Sequence, residues 1–317
     1  MTDGMQGSVA LESDGMQGPQ TLAGESGGWN PSQVVAIDWS GARGKRYRGI
    51  AVAVCDASGD GPPALVTPPS GWWSRTAVHE WLSGLTDAVV GIDCAFSLPF
   101  AVAGRHLPAD ATAFTLWDRI ETACAGEPDF GGAPFVTDPV FGPDFWTAGR
   151  QPGWYTDPHR GAEWACRRDG LGEPQSPYKL IGAKQVGRGA LAGMRMLRAL
   201  RAADPGRVAV WPFDAPGPVL RLVLAEIYPR LFLMSAGFGR RKLRDGADLD
   251  AALAVLGSRP LGLTGAVDDH AADALVSAAG MRRLLGVPGV WAPPALDEEA
   301  RRREGWIFGV GLDGAIP

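Results

Sequence analysis

Apolar residues along the chain gather into short β-branched runs separated by stretches of helical spacing, and the alternation of the two periods predicts an α/β fold. The run Val34-Val35-Ala36-Ile37 ends at Asp38. After the polar turn Ala42 to Arg46, a second run from Tyr47 to Cys55 predicts a hairpin. The Gly/Pro turn Gly59 to Pro63 then precedes a short third strand, Ala64 to Thr67. Ser74 is placed to cap a helix through about Leu85, in which Val78, Trp81, Leu82 and Leu85 share one face. A further run, Asp87 to Asp93, completes a β-β-β-α-β order. Three antiparallel strands, a crossover helix and a strand returning parallel to the first are expected.

From Phe100 to about residue 190 the pattern fades into one predicted helix, Asp110 to Cys124, and a Gly/Pro-rich stretch carrying Phe130, Phe135, Phe141, Phe145, Trp146, Trp154, Tyr155 and Trp164. A structureless loop of that length is at odds with ordinary loop lengths, so an inserted subdomain or lid packed on the core is expected. Regular structure resumes with a helix Gly189 to Ala203, a strand Arg207 to Phe213, and an apolar stretch Val219 to Tyr228 that contains Glu226. Helices Leu249 to Leu256 and Asp268 to Leu285 follow, then a terminal strand Gly305 to Val310. Residues 1–31 are rich in Gly, Ser and Met and contain the near-duplicate Asp3 to Gly7 and Asp14 to Gly18. They read as a disordered leader ahead of a single domain, 32–317, with its insertion at about 100–190.

Composition narrows the possible partners. With 317 residues, 45% of them hydrophobic, the chain can bury a large core. Its 30 Lys and Arg against 35 Asp and Glu give a formal charge of -5, so no protein-wide positive field draws in nucleic acid, and any such surface must be local. Cys55, Cys94, Cys124 and Cys166 form no CxxC pair and read as free thiols. No apolar run approaches the roughly 20 residues of a membrane span. The expectation is a cytoplasmic protein without a membrane partner.

Two strands that each end in an aspartate, Asp38 and Asp93, become informative if the strands are parallel neighbours, because both acids then lie at one edge of the sheet. Carboxylates brought that close repel unless a cation neutralises them, and hard oxygen donors suit magnesium or manganese. Asp268-Asp269-His270-Ala271-Ala272-Asp273 opens a helix on which His270 and Asp273, three apart, share a face, as do Asp269 and Asp273. Glu226 is an acid among apolar neighbours. Each has a plainer alternative. Asp38 and Asp93 can be turn or cap residues, Asp268 the helix N-cap, Glu226 the partner of Arg221 or Arg230, and His270 a solvated surface residue.

These segments, Ala36-Ile37-Asp38-Trp39-Ser40-Gly41, Gly91-Ile92-Asp93, Glu226-Ile227-Tyr228-Pro229 and Asp268 to Leu275, resemble the signature segments of domain of unknown function 429. That is a family of predicted nucleases of the ribonuclease H fold, and the likeness covers about residues 33 to 285. The last segment also resembles the metal-binding helix of RuvC-type Holliday junction resolvases, with His270 and Asp273 at the matching spacing. The resemblance implies a ribonuclease H-like fold, a mixed sheet of three antiparallel strands and then parallel strands flanked by helices. It implies phosphodiester hydrolysis with two divalent ions, Mg2+ or Mn2+, about 3.5 to 4 Å apart. Asp38 would bridge the ions, Asp93 or Glu226 would hold one, Asp273 the other, and His270 or Asp269 would complete the set or move a proton.

Lys179, Lys184 and Arg188, between the insertion and the core, are the expected substrate-binding cations for a nucleic-acid substrate. The basic runs Gly44 to Arg48, Gly239 to Arg244 and Arg301 to Arg303 read first as solvated loops. Trp146, Trp154 and Trp164 are candidates for base stacking, although packing within the insertion is the first reading for most of them. Two other functions compete with the nuclease: actin-like phosphotransfer or nucleotide hydrolysis on the same fold, and a non-catalytic nucleic-acid-binding module.

Overall fold

A computed structural model describes residues 1, 30–42, 48–68, 70–182, 185–217, 220–239 and 241–312. The predicted leader and Lys184 therefore lie outside the described residues, apart from Met1, Asn30 and Pro31 of the leader.

The first strand, β1 (Gln33–Asp38), owes its place to Val34, Val35, Ala36 and Ile37, each fully buried. Burial of an aliphatic side chain of this size contributes about 1.5 to 3 kcal/mol, enough to fix the strand at the centre of a sheet. β2 (Ala51–Asp56) pairs antiparallel to it, and β3 (Ala64–Leu65) pairs antiparallel to β2. The hairpin strand is shorter than its apolar run, and the third strand is cut to two exposed residues. Helix α1 (Arg75–Gly84) begins where expected, with the Ser74 hydroxyl accepting from Ala77 N at 2.9 Å. It delivers the chain to β4 (Ala88–Ile92), fully buried and parallel to β1.

Helices α2 (Phe100–Ala103), α3 (Ala113–Cys124), α4 (Ala133–Val136) and α5 (Gly161–Arg168) punctuate the following aromatic-rich stretch. Phe135, Phe141, Phe145 and Tyr178 of this stretch are buried in the same cluster as Ile37 and Ile92, so the rings cover one face of the sheet. Helix α6 (Gly187–Ala203) packs on α1 and α3 over that face. β5 (Val208–Val210) and β6 (Leu222–Glu226) then join the sheet in parallel. Helices α7 (Pro229–Ser235), α8 (Gly246–Val255) and α9 (Asp269–Leu285) cover the opposite face, where α9 lies across β1 and β2. Among the described residues the result is a six-stranded mixed sheet, ordered β3-β2-β1-β4-β6-β5, with helices on both sides.

The terminal strand expected at Gly305 to Val310 does not form. Only an isolated bridge joins Ile307 to Glu226, because Gly305 and Gly309 take φ values of 77° and 92°, which fold the segment into turns. Its residues Trp306, Ile307 and Phe308 are buried all the same. All four cysteines are free and buried, and no described helix is long and apolar enough to cross a membrane.

The seating of α9 on the sheet depends on Gly91 in β4. A Cβ there would stand 2.6 Å from Ile227 Cγ2 and 2.3 Å from Met281 Sδ on α9. Gly91→Ala should therefore lower stability by roughly 1 to 3 kcal/mol, the usual cost of overpacking. A chemical-denaturation midpoint equal to that of the parent protein would contradict this packing.

Candidate functional site

The register of the parallel strands decides which acids meet. Ile37, Ile92 and Glu226 lie level on β1, β4 and β6, so their side chains share one face. Asp38 and Asp93 follow Ile37 and Ile92 and therefore turn to the other face. The ladder reaches this far, since Asp93 N donates to Ile37 O at 2.9 Å. Buried neighbours confirm the alternation: Ile37, Ile92 and Leu224 belong to the cluster beneath α3 and α6, while Ala36, Val89 and Ala225 belong to the cluster beneath α9.

α9 supplies the rest of the group. Asp268 is its N-cap, accepting from His270 N at 3.0 Å and Ala271 N at 3.1 Å, which fixes the first turn and the direction of the side chains that follow. His270 Nδ1 lies 2.6 Å from Asp38 Oδ2, and Asp273, one turn on, faces the same acids. Asp38 is almost wholly buried, whereas His270 is half exposed. A cavity of about 560 Å³ opens over them, bordered also by Ser40, Arg188 and Lys242. Gly41 brings the exit of β1 against the start of α6, for a Cβ on it would lie 2.3 Å from Gly189 N.

Electrostatics dominate this group. Burial, then the charges of Asp38, Asp273 and Glu226, push the Asp93 carboxyl well above the ordinary carboxylate range. Asp38 is also raised, by burial first, against the opposing pull of its hydrogen bond to His270. Among the neighbouring charges that of Asp38 acts most strongly on Asp93, so the two acids resist being ionised together. His270 is raised, mainly by its hydrogen bond to Asp38. Asp273 is pushed up to about 7 by burial and by Asp38, with Arg230 and Lys242 pulling the other way.

Glu226 does not join this group. Its carboxylate takes two hydrogen bonds from Arg160, Nη2 to Oε1 at 2.5 Å and Nη1 to Oε2 at 2.8 Å, and a third from Phe96 N at 3.0 Å. Arg160 also donates to Glu163 through Nε at 2.8 Å, and Glu304 accepts from Phe100 N and Gly161 N. The sequence offered Arg221 or Arg230 as partners for Glu226. Arg221 pairs with Asp204 instead, and Arg230 donates to the carbonyls of Gly239 and Arg241. Arg160 and Glu163 carried no signal in the sequence beyond their three-residue spacing, since nothing local indicated that a surface-type pair would be buried.

The other expected residues divide. Asp269 stands at the exposed rim, paired with Lys242, the lysine of a run that read as a solvated loop. Arg188 borders the cavity. Lys179 does not border it: its Nζ donates to Gln175 Oε1 at 3.3 Å and lies over the Trp146 ring. Trp154 and Trp164 are more than half exposed and line a separate cavity beside Arg105.

Among the described residues no three His, Cys, Asp or Glu side chains are disposed as a finished metal cage. The donors themselves suit a hard divalent cation, because Asp38 is buried, Asp93 and Asp273 are half-buried, and the charge of Asp38 pushes both of the others up. A cation binding there would offset that repulsion.

Two outcomes separate the roles of these acids. Glu226→Ala leaves Arg160 buried without one of its carboxylates and should destabilise the protein by roughly 3 to 5 kcal/mol. An unchanged melting temperature would show that the pair carries no structural weight. Asp273, raised from 3.8 to about 7, binds a proton in the folded protein that the unfolded chain releases, so its contribution favours folding at low pH and fades as pH rises through that window. Asp273→Asn should accordingly be more stable than the parent at pH 8 and show a shallower loss between about pH 4 and 7, where one proton accounts for at most about 1.4 kcal/mol per pH unit. Parallel stability profiles for the two proteins would contradict the raised acidity.

No protein-family model, no curated protein and no solved structure matches the chain, so the reading of the site rests on its residues and their geometry.

Proposed function

We propose that this site hydrolyses phosphodiester bonds, as a metal-dependent nuclease of the ribonuclease H-like fold. One observation carries the reading: Asp38 and Asp93 end adjacent parallel strands on one face, and the first turn of α9 sets His270 and Asp273 against them. The fold assignment is supported by three antiparallel strands with β4 parallel on the far side of β1. It is supported too by the likeness of these segments to domain of unknown function 429.

Asp38, Asp93 and Asp273 would hold magnesium or manganese, which supplies water activation and relief of charge on the phosphoryl group. The chain's own groups do the rest. Asp38 fixes the His270 ring through Nδ1, which leaves Nε2 to accept the proton of the attacking water. The new bond forms between water oxygen and phosphorus, the bond to the leaving alkoxide breaks, and that oxygen takes up a proton. Arg188 brings a guanidinium to the cavity for phosphate, while Lys242 at the rim is paired with Asp269. Glu226 supports the sheet edge through Arg160 and is not among the proposed ligands.

Manganese-dependent cleavage of single-stranded, duplex and branched DNA and RNA tests the proposal. Asp38→Asn and Asp93→Asn should each lower the rate by roughly a hundredfold or more while the protein stays folded. Cleavage that survives both substitutions would sink the site, and ATP turnover without any polynucleotide cleavage would replace the reading with nucleotide hydrolysis. Magnesium or manganese should also raise the melting temperature, more at pH 8 than at pH 5, because protons compete for the same carboxylates. A shift independent of pH would place the ion elsewhere.

A further inference from the structure

The cavity beside Asp38 shares Trp39, Gly41 and Gln185 as walls with a second hollow of about 220 Å³ that reaches Asp93 and Tyr228. We propose that this hollow receives a single unpaired nucleobase while the attached phosphate lies in the larger cavity. The inference rests on the phosphodiesterase reading above and names its substrate class: single-stranded or locally opened nucleic acid.

Size sets the first limit. Whole small-molecule sites run to about 300–1,000 Å³, so 220 Å³ suits one ring system and not a complete nucleotide. A base still stacked within a duplex cannot enter such a recess without leaving the stack.

Charge sorts the two ends of the ligand. Asp93, Glu163 and Glu226 border the hollow together with a single cation, Arg160, whose donors are already directed to Glu163, Glu226 and Glu304 O. A phosphate is repelled there, whereas a neutral heterocycle presenting N–H groups is favoured. Arg188, Lys242 and His270 border the other cavity together with Asp38, Asp269 and Asp273, so the phosphate belongs there as the partner of the proposed metal and of Arg188.

The remaining walls have the chemistry of base recognition. Gln185 Nε2 donates to Gly182 O at 3.0 Å and Gln175 Nε2 to Glu173 O at 3.3 Å, which leaves each amide a second N–H and the Gln185 carbonyl oxygen for a base edge. Lys179 Nζ holds the Gln175 carbonyl oxygen at 3.3 Å and so orients that amide, a positioning role one residue removed from the ligand. Tyr228 offers an aromatic surface and is braced by the turn at Gly172, where a Cβ would stand 2.9 Å from Tyr228 Cε1. Asp93, the one acid of the hollow that Arg160 does not hold, is placed to accept from an exocyclic amino group, which favours bases bearing one over those bearing only carbonyls.

CMP and UMP differ at that group, and calorimetric titration of each into the full chain reads the preference without any cleavage. CMP should bind about fivefold more tightly than UMP, the scale of one net hydrogen bond. Gln185→Ala, at an exposed position, and Tyr228→Leu should each weaken CMP by about fivefold or more and narrow the gap to UMP. Parent-like CMP affinity in both variants, or equal affinity for CMP and UMP, overturns the base pocket. Duplex cut as fast as single strand overturns the pocket alone and leaves the nuclease standing. CMP selectivity lost in the variants, without cleavage of any polynucleotide, supports the pocket and overturns the nuclease.

Discussion

The crowding of Asp38 against Asp93, at the ends of adjacent parallel strands, is the constraint around which this end of the sheet is organised. Two acids so placed resist being ionised together without a cation, and here His270 Nδ1, 2.6 Å from Asp38, is the group that answers one of them. The stability of the sheet is what makes this tolerable. Residues 34–37 and 88–92 are fully buried or nearly so, and that apolar burial holds the carboxylates together against a charge cost they would otherwise escape by moving apart.

The same sheet separates two sets of acids by one step of register. Glu226 is level with Ile92, and Asp93 is one residue further, so side-chain alternation sends them to opposite faces. On the α9 face the acids meet one another and an exposed histidine. On the other face Glu226, Glu163 and Glu304 surround Arg160, and every carboxylate has donors from the guanidinium or the backbone. The first set is electrostatically unsatisfied and borders a cavity open to solvent. The second is a satisfied, structural network that ties α5 and the last turns of the chain to the end of β6. Proximity of an acid to the site is therefore a poor guide to its role; the number of donors it already accepts from is a better one.

Much of this was legible in the amino-acid order. The run 34–38, the Ser74 cap, the strand ending before Asp93 and the helix after Asp268 all follow from local rules, namely β-branched runs, capping side chains and helical spacing. Where local rules misled, backbone geometry had intervened. Trp306 to Phe308 read as a strand because they are apolar, yet Gly305 and Gly309 in left-handed conformations turn the chain, and the rings are buried without a ladder. Lys179 read as a substrate cation because it is basic and lies near the core, but its amine is committed to Gln175.

The sequence by itself determined the strands, the principal helices and the positions of Asp38, Asp93, His270 and Asp273 as acids or bases at element ends, because each depends on neighbours within a few residues. Tertiary structure alone decided which of them meet. Asp38 and His270 are 232 residues apart, Arg160 and Glu226 are 66 apart, and no local pattern encodes either contact. Register between parallel strands, fixed by packing on two faces at once, separated Glu226 from the other acids and gave it to Arg160.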